Sequence, residues 1–168
     1  MIQKKLCMLG AFAVGKTSLV RRFVQSLFTD KYLTTVGVKI DKKQVVCADK
    51  EVALLLWDLY GEDEFQRVQT SYLRSASGLL LVADGTRSAT VDKAIELRDR
   101  AASALGPIPH LLLLNKWDLA ADWEVSEERI TTLTQQGWQI LRTSAKSGEH
   151  VEQAFQQLTA QMIGAPSK

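Results

Sequence analysis

The amino-acid sequence predicts an α/β protein with a six-stranded, mostly parallel sheet, one antiparallel edge strand and helices on both faces. Six short apolar runs alternate along most of the chain with stretches whose apolar residues recur at helical spacing. Two of these runs, GLLLVAD and HLLLLN, are continuously apolar, which is typical of parallel strands covered by helices on both faces. A glycine-rich segment, GAFAVGKT, joins the first run to the first helical stretch. We therefore expect a ligand at the carboxyl ends of the parallel strands, where the loops gather.

The order of the predicted strands defines the sheet. The second and third strands are separated only by Asp49, Lys50 and Glu51, which are too few for a crossover helix, so they should form an antiparallel hairpin. The last predicted helix has the clearest apolar stripe, which runs from Val151 to Met162. The six predicted strands cover residues 4–9, 38–48, 52–59, 79–84, 110–115 and 139–144.

The composition is that of one globular domain spanning residues 1–168, with 46% hydrophobic and 24% charged residues. A net charge of +2 without a long block of like charges disfavours nucleic acid as a partner. No apolar stretch approaches the roughly 18 residues of a membrane span, and the final GAPSK has no cysteine for prenylation, so no membrane anchor is expected in this chain. Cys7 and Cys47 lie in apolar runs, where reduced buried thiols are expected, and we predict a cytoplasmic protein.

The segment GAFAVGKT, residues 10–17, matches the phosphate-binding pattern G-x-x-x-x-G-K-[ST] and predicts the P-loop NTPase fold. Glycines let such a loop curl so that successive N–H groups point inward and form a concave anion site. Lys16 would reach the outer phosphates of a nucleotide, and the Thr17 hydroxyl would bind Mg²⁺. A glycine-rich turn without a ligand is the alternative interpretation. The expected nucleotide contacts in this loop are Gly10, Ala13, Val14, Gly15, Lys16, Thr17 and Ser18.

Four further segments fall at strand ends: TTVGV at residues 34–38, WDLYG at 57–61, NKWD at 115–118 and SAK at 144–146. Asp118 indicates the base that is bound. A carboxylate only accepts hydrogen bonds, and guanine offers N1–H and a 2-amino group side by side, whereas adenine has no such donor pair. Each segment alone also fits a polar turn or helix cap. Asp118 therefore favours guanine over adenine as the base.

The five segments together resemble those of the Ras-like small GTPases, and the resemblance spans nearly the whole chain. The AVGKT part of the phosphate loop looks like the Rho-type version, and TTVGV resembles the Rab-type segment with a magnesium-binding threonine. The resemblance implies that Thr35 and Asp58 join Thr17 around Mg²⁺, with Asp58 acting through water. It also implies that the Gly61 N–H contacts the γ-phosphate.

The resemblance also implies the contacts to the base. Asn115 would brace the phosphate loop, the stem of Lys116 would cover guanine, and the Ala145 N–H would bond the guanine oxygen. Phe28 lies where the family places an aromatic ring against guanine, although a core or helix-end phenylalanine fits the sequence equally well. The implied guanine-binding residues are Phe28, Asn115, Lys116, Asp118, Ser144, Ala145 and Lys146.

The activity that the resemblance implies is a switch that binds GTP and GDP with Mg²⁺ and hydrolyses GTP, with Lys16, Gly61 and Glu62 at the reacting phosphate. Glu62 stands where the family has a glutamine that orients the attacking water. Its carboxylate cannot donate an N–H bond to the phosphoryl group, so unaided hydrolysis should be slow. Phe12 and Tyr60 are bulky where the family has small residues, and Phe12 could either exclude an activating arginine or lie on the surface. No arginine stands out as an internal finger.

Two loops, 29–38 and 60–72, would contact the γ-phosphate and be released when it is lost. Protein effectors, an exchange factor and a GTPase-activating partner are expected to bind these loops, with Tyr32, Phe65 and Tyr72 as candidate anchors. Three other functions stay open. They are a GTP-binding regulatory module with negligible hydrolysis, a P-loop kinase or ATPase, for which the sequence has no Arg-rich lid, and a scaffold, which would not need five nucleotide segments.

Overall fold

The structure is a computed structural model that describes residues 1–25, 38–59 and 71–164. The bounds of its strands lie close to the predicted ones except at the last strand, which is shorter than the predicted 139–144. In chain order, the elements are β1 (Ile2–Gly10), α1 (Lys16–Gln25), β2 (Val38–Cys47), β3 (Lys50–Leu59), β4 (Gly78–Asp84), α2 (Ala89–Leu105), β5 (His110–Asn115), a 3₁₀ helix (Trp117–Asp122), α3 (Glu127–Gln135), β6 (Ile140–Arg142) and α4 (Val151–Met162).

The six strands form one sheet in the order β2-β3-β1-β4-β5-β6. The pair β2–β3 is antiparallel and the other four pairs are parallel, which confirms the predicted mixed sheet with one antiparallel edge. The chain leaves β1 for a helix on one face and leaves β4 for a helix on the other. The gap between the carboxyl ends of β1 and β4 is therefore the crevice where ligands bind in sheets of this kind.

The hairpin between β2 and β3 is tighter than the predicted loop of residues 49–51. Cys47 pairs directly with Lys50, so only Ala48 and Asp49 form the turn. Both have positive φ, 52° and 62°, as in the two-residue turns whose twist matches that of the flanking strands. The predicted loop was wrong in length because an alanine with positive φ is not a turn signal in the sequence.

Two apolar layers flank the sheet because alternate residues of each strand point to opposite faces. Helices α1 and α4 cover one face, and α2 and α3 cover the other, so the helices predicted on both faces are confirmed. In β1, Leu6 and Met8 belong to the first layer, and Cys7 and Leu9 to the second. Every residue of β4 is buried, which accounts for its continuously apolar sequence.

Helix α1 is fixed to the sheet by the residues that repeat along one side of it. Its buried residues include Leu19, Val20 and Phe23. The ring of Phe23 stacks on Phe155 of α4, with ring centroids 3.9 Å apart. Because α1 begins inside the glycine-rich segment, this packing fixes the direction in which its N-terminus, the positive end of the helix dipole, points.

Both cysteines are free and buried, as expected. Burial raises the pKa of the Cys7 thiol to about 12, against the smaller opposing effect of the nearby Lys5 charge. Cys7 therefore stays protonated at neutral pH. Within residues 1–25, 38–59 and 71–164, none of the helices has the length and apolar character needed to cross a bilayer.

A matched pair of valines in the hairpin tests the packing of the first layer. Val52 is fully buried, whereas Val46, in the adjacent cross-strand pair, is 64% exposed. We expect Val52→Ala to lower the free energy of unfolding by about 2–3 kcal/mol, because it removes buried methyl groups and leaves a cavity. Val46→Ala should lower it by less than about 1 kcal/mol. Urea unfolding measures both, and equal losses would contradict the burial assigned to Val52.

Candidate functional site

The glycine-rich loop connects β1 to α1 through a backbone that only small residues permit. A Cβ added at Gly10 would lie 2.4 Å from the Val82 carbonyl oxygen, so β1 and β4 approach each other closely here. Gly15 has φ of 103°, and an added Cβ would lie 2.3 Å from Nδ2 of Asn115. Ala13 has φ of 63°, in the left-handed region. The loop is therefore tightly curled against the ends of β4 and β5.

Lys16 places a nearly buried charge within this loop, since the residue is only 7% exposed. Its ammonium group donates to the carbonyl oxygens of Gly10, at 3.2 Å, and Ala11, at 3.4 Å. Both distances are at the long end for a charged hydrogen bond. The side chain thus lies back along the loop, at the N-terminus of α1, and gives this edge of the sheet a positive charge.

The Thr17 hydroxyl and the Asp58 carboxylate meet beside the loop. Thr17 Oγ1 donates to Asp58 Oδ2 at 2.5 Å, and Asp58, near the end of β3, is fully buried. Residues 1–25, 38–59 and 71–164 contain no cluster of three His, Cys, Asp or Glu side chains that could hold a metal on its own. Mg²⁺ suits such a place, because it prefers hard oxygens and is commonly held by one or two carboxylates together with substrate phosphates and water. The donor set therefore fits Mg²⁺.

Asn115, at the end of β5, joins the phosphate loop to the loop after β6. Its Nδ2 donates to the Val14 carbonyl oxygen at 2.9 Å. Its Oδ1 accepts from the Thr143 hydroxyl at 3.2 Å and from the Ala145 N–H at 3.3 Å. The side chain is almost fully buried, so these bonds are shielded from water. The Ala145 N–H, expected to bond the guanine oxygen, is thus directed to Asn115 by a long hydrogen bond.

Asp118 is held from one side by the loop that follows β6. The Ser144 hydroxyl donates to Asp118 Oδ1 at 2.7 Å and accepts from the Ser147 N–H at 3.0 Å. Asp118 itself is exposed at the start of the 3₁₀ helix. Because an ionised carboxylate has about four acceptor positions, it keeps the capacity to bind two more donors side by side.

Comparison with known proteins identifies the family. The model of the Ras family matches residues 5–164. The chain belongs to the Ras family. It is 32% identical over 161 residues to Ras-related protein Rab-13 of Canis lupus familiaris, and 37% identical over 161 residues to Ras-related protein Rab-30 of Homo sapiens. Each alignment covers 95% of this chain and 79% of the relative.

A third relative is GTP-binding protein yptV2 of Volvox carteri, which is 36% identical over 154 residues, 90% of this chain and 71% of the relative. Members of the Ras family are GTP-binding switches that hydrolyse GTP, and this protein is one of them. The predicted P-loop NTPase fold and the predicted family are thereby confirmed.

The structure brings most of the predicted site residues of this Ras-family protein to one edge of the sheet. The phosphate loop with Ser18, Asp58, residues 115–118 and residues 144–146 all lie at the carboxyl ends of β1, β3, β5 and β6. The other predicted site residues, and the partner anchors Tyr32 and Phe65, lie outside the described residues. Those site residues are Phe28, Thr35, Gly61 and Glu62.

Asp84, at the end of β4, is a site residue that sequence reasoning missed. Its Oδ2 pairs with the Lys116 ammonium at 2.8 Å and with Nε of Arg87 at 3.0 Å. Its Oδ1 accepts from the Thr86 N–H at 2.9 Å and from the Thr86 hydroxyl at 2.7 Å. Burial acts to raise the pKa of this carboxyl, but the hydrogen bonds from Lys116, Thr86 and Arg87 outweigh it and hold the pKa below its usual value. The only sequence signal was an aspartate closing an otherwise apolar strand.

Two arginines also support the site and were not singled out from the sequence. Arg22 of α1 donates through Nε to the Ala145 carbonyl oxygen at 2.8 Å and through Nη2 to that of Lys146. Arg87 donates through Nη2 to the Phe12 carbonyl oxygen at 2.9 Å. Arg22 thus binds the backbone of the loop after β6, and Arg87 binds the backbone of the phosphate loop. The Phe12 side chain is 44% exposed, so this ring lies largely at the surface.

Two glycines with nearly the same backbone conformation test the contact between the phosphate loop and Asn115. Gly15 has φ of 103° and Gly137 has φ of 99°, but a Cβ at Gly137 would meet nothing within 4 Å. Gly137→Ala should therefore cost only the strain of a left-handed alanine, about 1–2 kcal/mol. Gly15→Ala should lower the free energy of unfolding by a further 1–3 kcal/mol or so, because it displaces the Asn115 amide from Val14. Urea unfolding of both variants makes the comparison, and equal losses of unfolding free energy would contradict the contact between Gly15 and Asn115.

Proposed function

We propose that this chain, as one G domain, binds GTP and GDP with Mg²⁺ at the carboxyl ends of its parallel strands and hydrolyses GTP slowly without a partner. The observation that carries the proposal is that one buried side chain, Asn115, joins the phosphate loop to the loop that holds Asp118. Phosphate-binding and base-binding groups are thereby fixed at one distance from each other. A guanine nucleotide carries its phosphates and its base at opposite ends, so two loops held side by side suit it.

The phosphates would be held by the curled loop at the N-terminus of α1. Inward N–H groups between Ala13 and Ser18, the helix dipole and the Lys16 ammonium all favour a polyanion. Lys16 now bonds the carbonyl oxygens of Gly10 and Ala11 weakly, and a phosphate oxygen would be a better acceptor for it. Mg²⁺ would neutralise charge on the outer phosphates, held by Thr17 and, through water, by Asp58, with Thr35 as a further ligand proposed from the sequence.

Guanine would be selected by Asp118. The Ser144 hydroxyl fixes the carboxylate, which then accepts the N1–H and the 2-amino group of the base. The Lys116 ammonium pairs with Asp84, and the alkyl stem of Lys116 would cover the base. Ala145, Lys146 and Phe28 complete the proposed contacts.

Hydrolysis would proceed by in-line attack of water on the γ-phosphate. Lys16, the loop N–H groups and the Gly61 N–H would stabilise the negative charge on the transferred phosphoryl group. Glu62 can accept the proton of the attacking water, but it brings a negative charge toward another one and donates no hydrogen bond. The proposed slow rate without help follows from this substitution, and the bulky Phe12 and Tyr60 belong to the same altered hydrolysis centre.

Effectors, an exchange factor and a GTPase-activating partner would bind loops 29–38 and 60–72, next to an apolar patch on the described residues. Ile40, 51% exposed in β2, pairs in register with Trp57 of β3, and the Trp57 ring lies 6.2 Å from that of Tyr72. Tryptophan and tyrosine are enriched among the residues that anchor protein partners. Free, buried thiols at Cys7 and Cys47 support a reducing, cytoplasmic location for these interactions.

Exchange of one carboxylate for an amide tests the base selection. Asp118→Asn replaces one acceptor with an NH₂ donor, so we expect affinity for GDP to fall by about a hundredfold or more and affinity for xanthosine diphosphate, which has an acceptor at position 2, to rise. Asp122→Asn, at the exposed end of the same 3₁₀ helix, is the control and should bind GDP as the wild type does. The measurement is equilibrium titration with each nucleotide and with ADP. Unchanged GDP affinity in Asp118→Asn, or wild-type preference for ADP, would contradict the proposal.

Exchange of Glu62 tests the origin of the slow hydrolysis. Glu62→Gln removes the repulsive charge and restores an N–H donor, so single-turnover GTP hydrolysis should accelerate roughly tenfold or more. Glu51→Gln is the control, because Glu51 lies at the start of β3, at the end of the strand away from the site. An equal or slower rate in Glu62→Gln would overturn the role given to Glu62. No detectable turnover in either protein would favour a GTP-binding module without hydrolysis.

A further inference from the structure

The Phe12–Ala13 peptide occupies a strained place in the phosphate loop. Ala13 has φ of 63°, a left-handed conformation that residues with a side chain adopt rarely and that glycine adopts freely. The sequence offers alanine here, so local preference does not hold this peptide in its orientation. A contact from another part of the fold therefore helps to hold it.

Arg87 supplies that contact. Its Nη2 donates to the Phe12 carbonyl oxygen at 2.9 Å, across 75 positions of sequence. In a trans peptide, the carbonyl and the following N–H point in opposite directions, and no peptide among the described residues is cis. Fixing the Phe12 carbonyl on Arg87 therefore directs the Ala13 N–H to the other side of the loop backbone. In a phosphate loop, that side is the concave one, where the N–H groups line the anion site.

Arg87 is itself held at several points. Its Nε pairs with Asp84 Oδ2 at 3.0 Å, and the same oxygen pairs with the Lys116 ammonium at 2.8 Å. Its backbone N–H donates to the Asp84 carbonyl oxygen at 2.9 Å, and its own carbonyl oxygen accepts from the Thr90 hydroxyl at 2.7 Å. Asp84 is almost fully buried and is fixed by Thr86. The guanidinium thus bridges a rigid carboxylate and a strained peptide, although it is partly exposed.

We propose that Arg87 is a positioning residue for nucleotide binding: anchored on Asp84, it holds the Phe12–Ala13 peptide so that the Ala13 N–H faces the phosphates. This inference rests on the proposed function, because it concerns the same phosphate loop. The arrangement gives Asp84 a double role, since its carboxylate also holds Lys116 of the base-binding segment.

Two other roles for Arg87 make different predictions. As a direct phosphate ligand, the guanidinium would have to leave both Asp84 and the Phe12 carbonyl, so its effect would not depend on the residue at position 13. As a strut for the fold alone, it would change the unfolding temperature and leave nucleotide release unaltered. The positioning role requires that the effect on nucleotide release depend on Ala13.

The first test compares Arg87→Ala with Arg129→Ala, a control that removes an arginine from a surface ion pair with Asp92. Release of a fluorescent GDP analogue should be about tenfold to a hundredfold faster in Arg87→Ala, since a charge-assisted hydrogen bond to the loop is lost, and unchanged in Arg129→Ala. In ¹H–¹⁵N spectra of the GDP complex, the Ala13 amide proton should move upfield in Arg87→Ala, because its hydrogen bond to phosphate weakens. An unchanged release rate in Arg87→Ala would overturn the proposal, and so would faster release with an unchanged Ala13 resonance.

The second test is a double-variant cycle with Ala13→Gly. Glycine adopts the left-handed conformation without a side-chain penalty, so Arg87→Ala should accelerate GDP release by a smaller factor in the Ala13→Gly background than in the wild type. An equal factor in both backgrounds would show that Arg87 acts independently of this peptide and would overturn the proposal.

Two further measurements separate the possible failures. If Arg87→Ala does not fold, Arg87→Lys is measured instead. Lysine can pair with Asp84, but it lacks the planar fork that lets arginine bond the Phe12 carbonyl oxygen at the same time. A wild-type release rate in Arg87→Lys would then overturn the proposal. Wild-type protein that binds no GDP overturns the proposed function and this inference with it. Wild-type protein that binds GDP, beside an Arg87→Ala variant that releases it at the same rate, overturns only the role of Arg87.

Discussion

The site depends on the hydrogen bonds of one buried amide, that of Asn115. Its Nδ2 bonds Val14 in the phosphate loop, and its Oδ1 bonds Thr143 and Ala145 beyond β6. A buried amide left without partners costs about 1–3 kcal/mol for each lost hydrogen bond, so the two loops are held together strongly. Gly15 belongs to the same constraint, because the amide nitrogen occupies the space that a Cβ would need. The separation between the phosphate loop and the loop after β6 is therefore set by the fold.

The parallel register of the central strands also brings the charged side chains of the site close to Asn115. Asp84 and Asn115 are cross-strand partners at the ends of β4 and β5, and Gly10 ends β1 beside β4. One buried carboxylate, Asp84, is shared by two cations, Lys116 and Arg87. The surplus positive charge lies next to a loop that already carries Lys16 at a helix N-terminus. The electrostatic potential at these strand ends thus suits a polyphosphate, and the strand order determines where the charged side chains lie.

The sequence was sufficient for those features that depend on local pattern. Continuous apolar runs in β4 and β5 indicated central parallel strands, and the phosphate-loop pattern located the first turn of the site. Contacts between segments that are distant in the sequence could not be predicted. Arg87 meets Phe12 across 75 positions, and Arg22 meets Ala145 across 123. Neither contact has a spacing rule, because the strand order brings the partners together. The hairpin turn was missed for another reason: Ala48 adopts a positive φ that its side chain disfavours, and the pairing of β2 with β3 enforces it.

Two departures from the family pattern lie in different segments, Phe12 in the phosphate loop and Glu62 directly after Gly61. The Phe12 backbone carbonyl is bound by Arg87 while the ring is 44% exposed, so the bulk of this side chain lies largely toward solvent. A carboxylate at position 62, in contrast, is proposed to act on the attacking water, because it can accept a proton but cannot donate an N–H bond to the phosphoryl group. In the proposed function, the unaided rate of hydrolysis therefore depends on Glu62, whereas the structure gives Phe12 a backbone contact with Arg87.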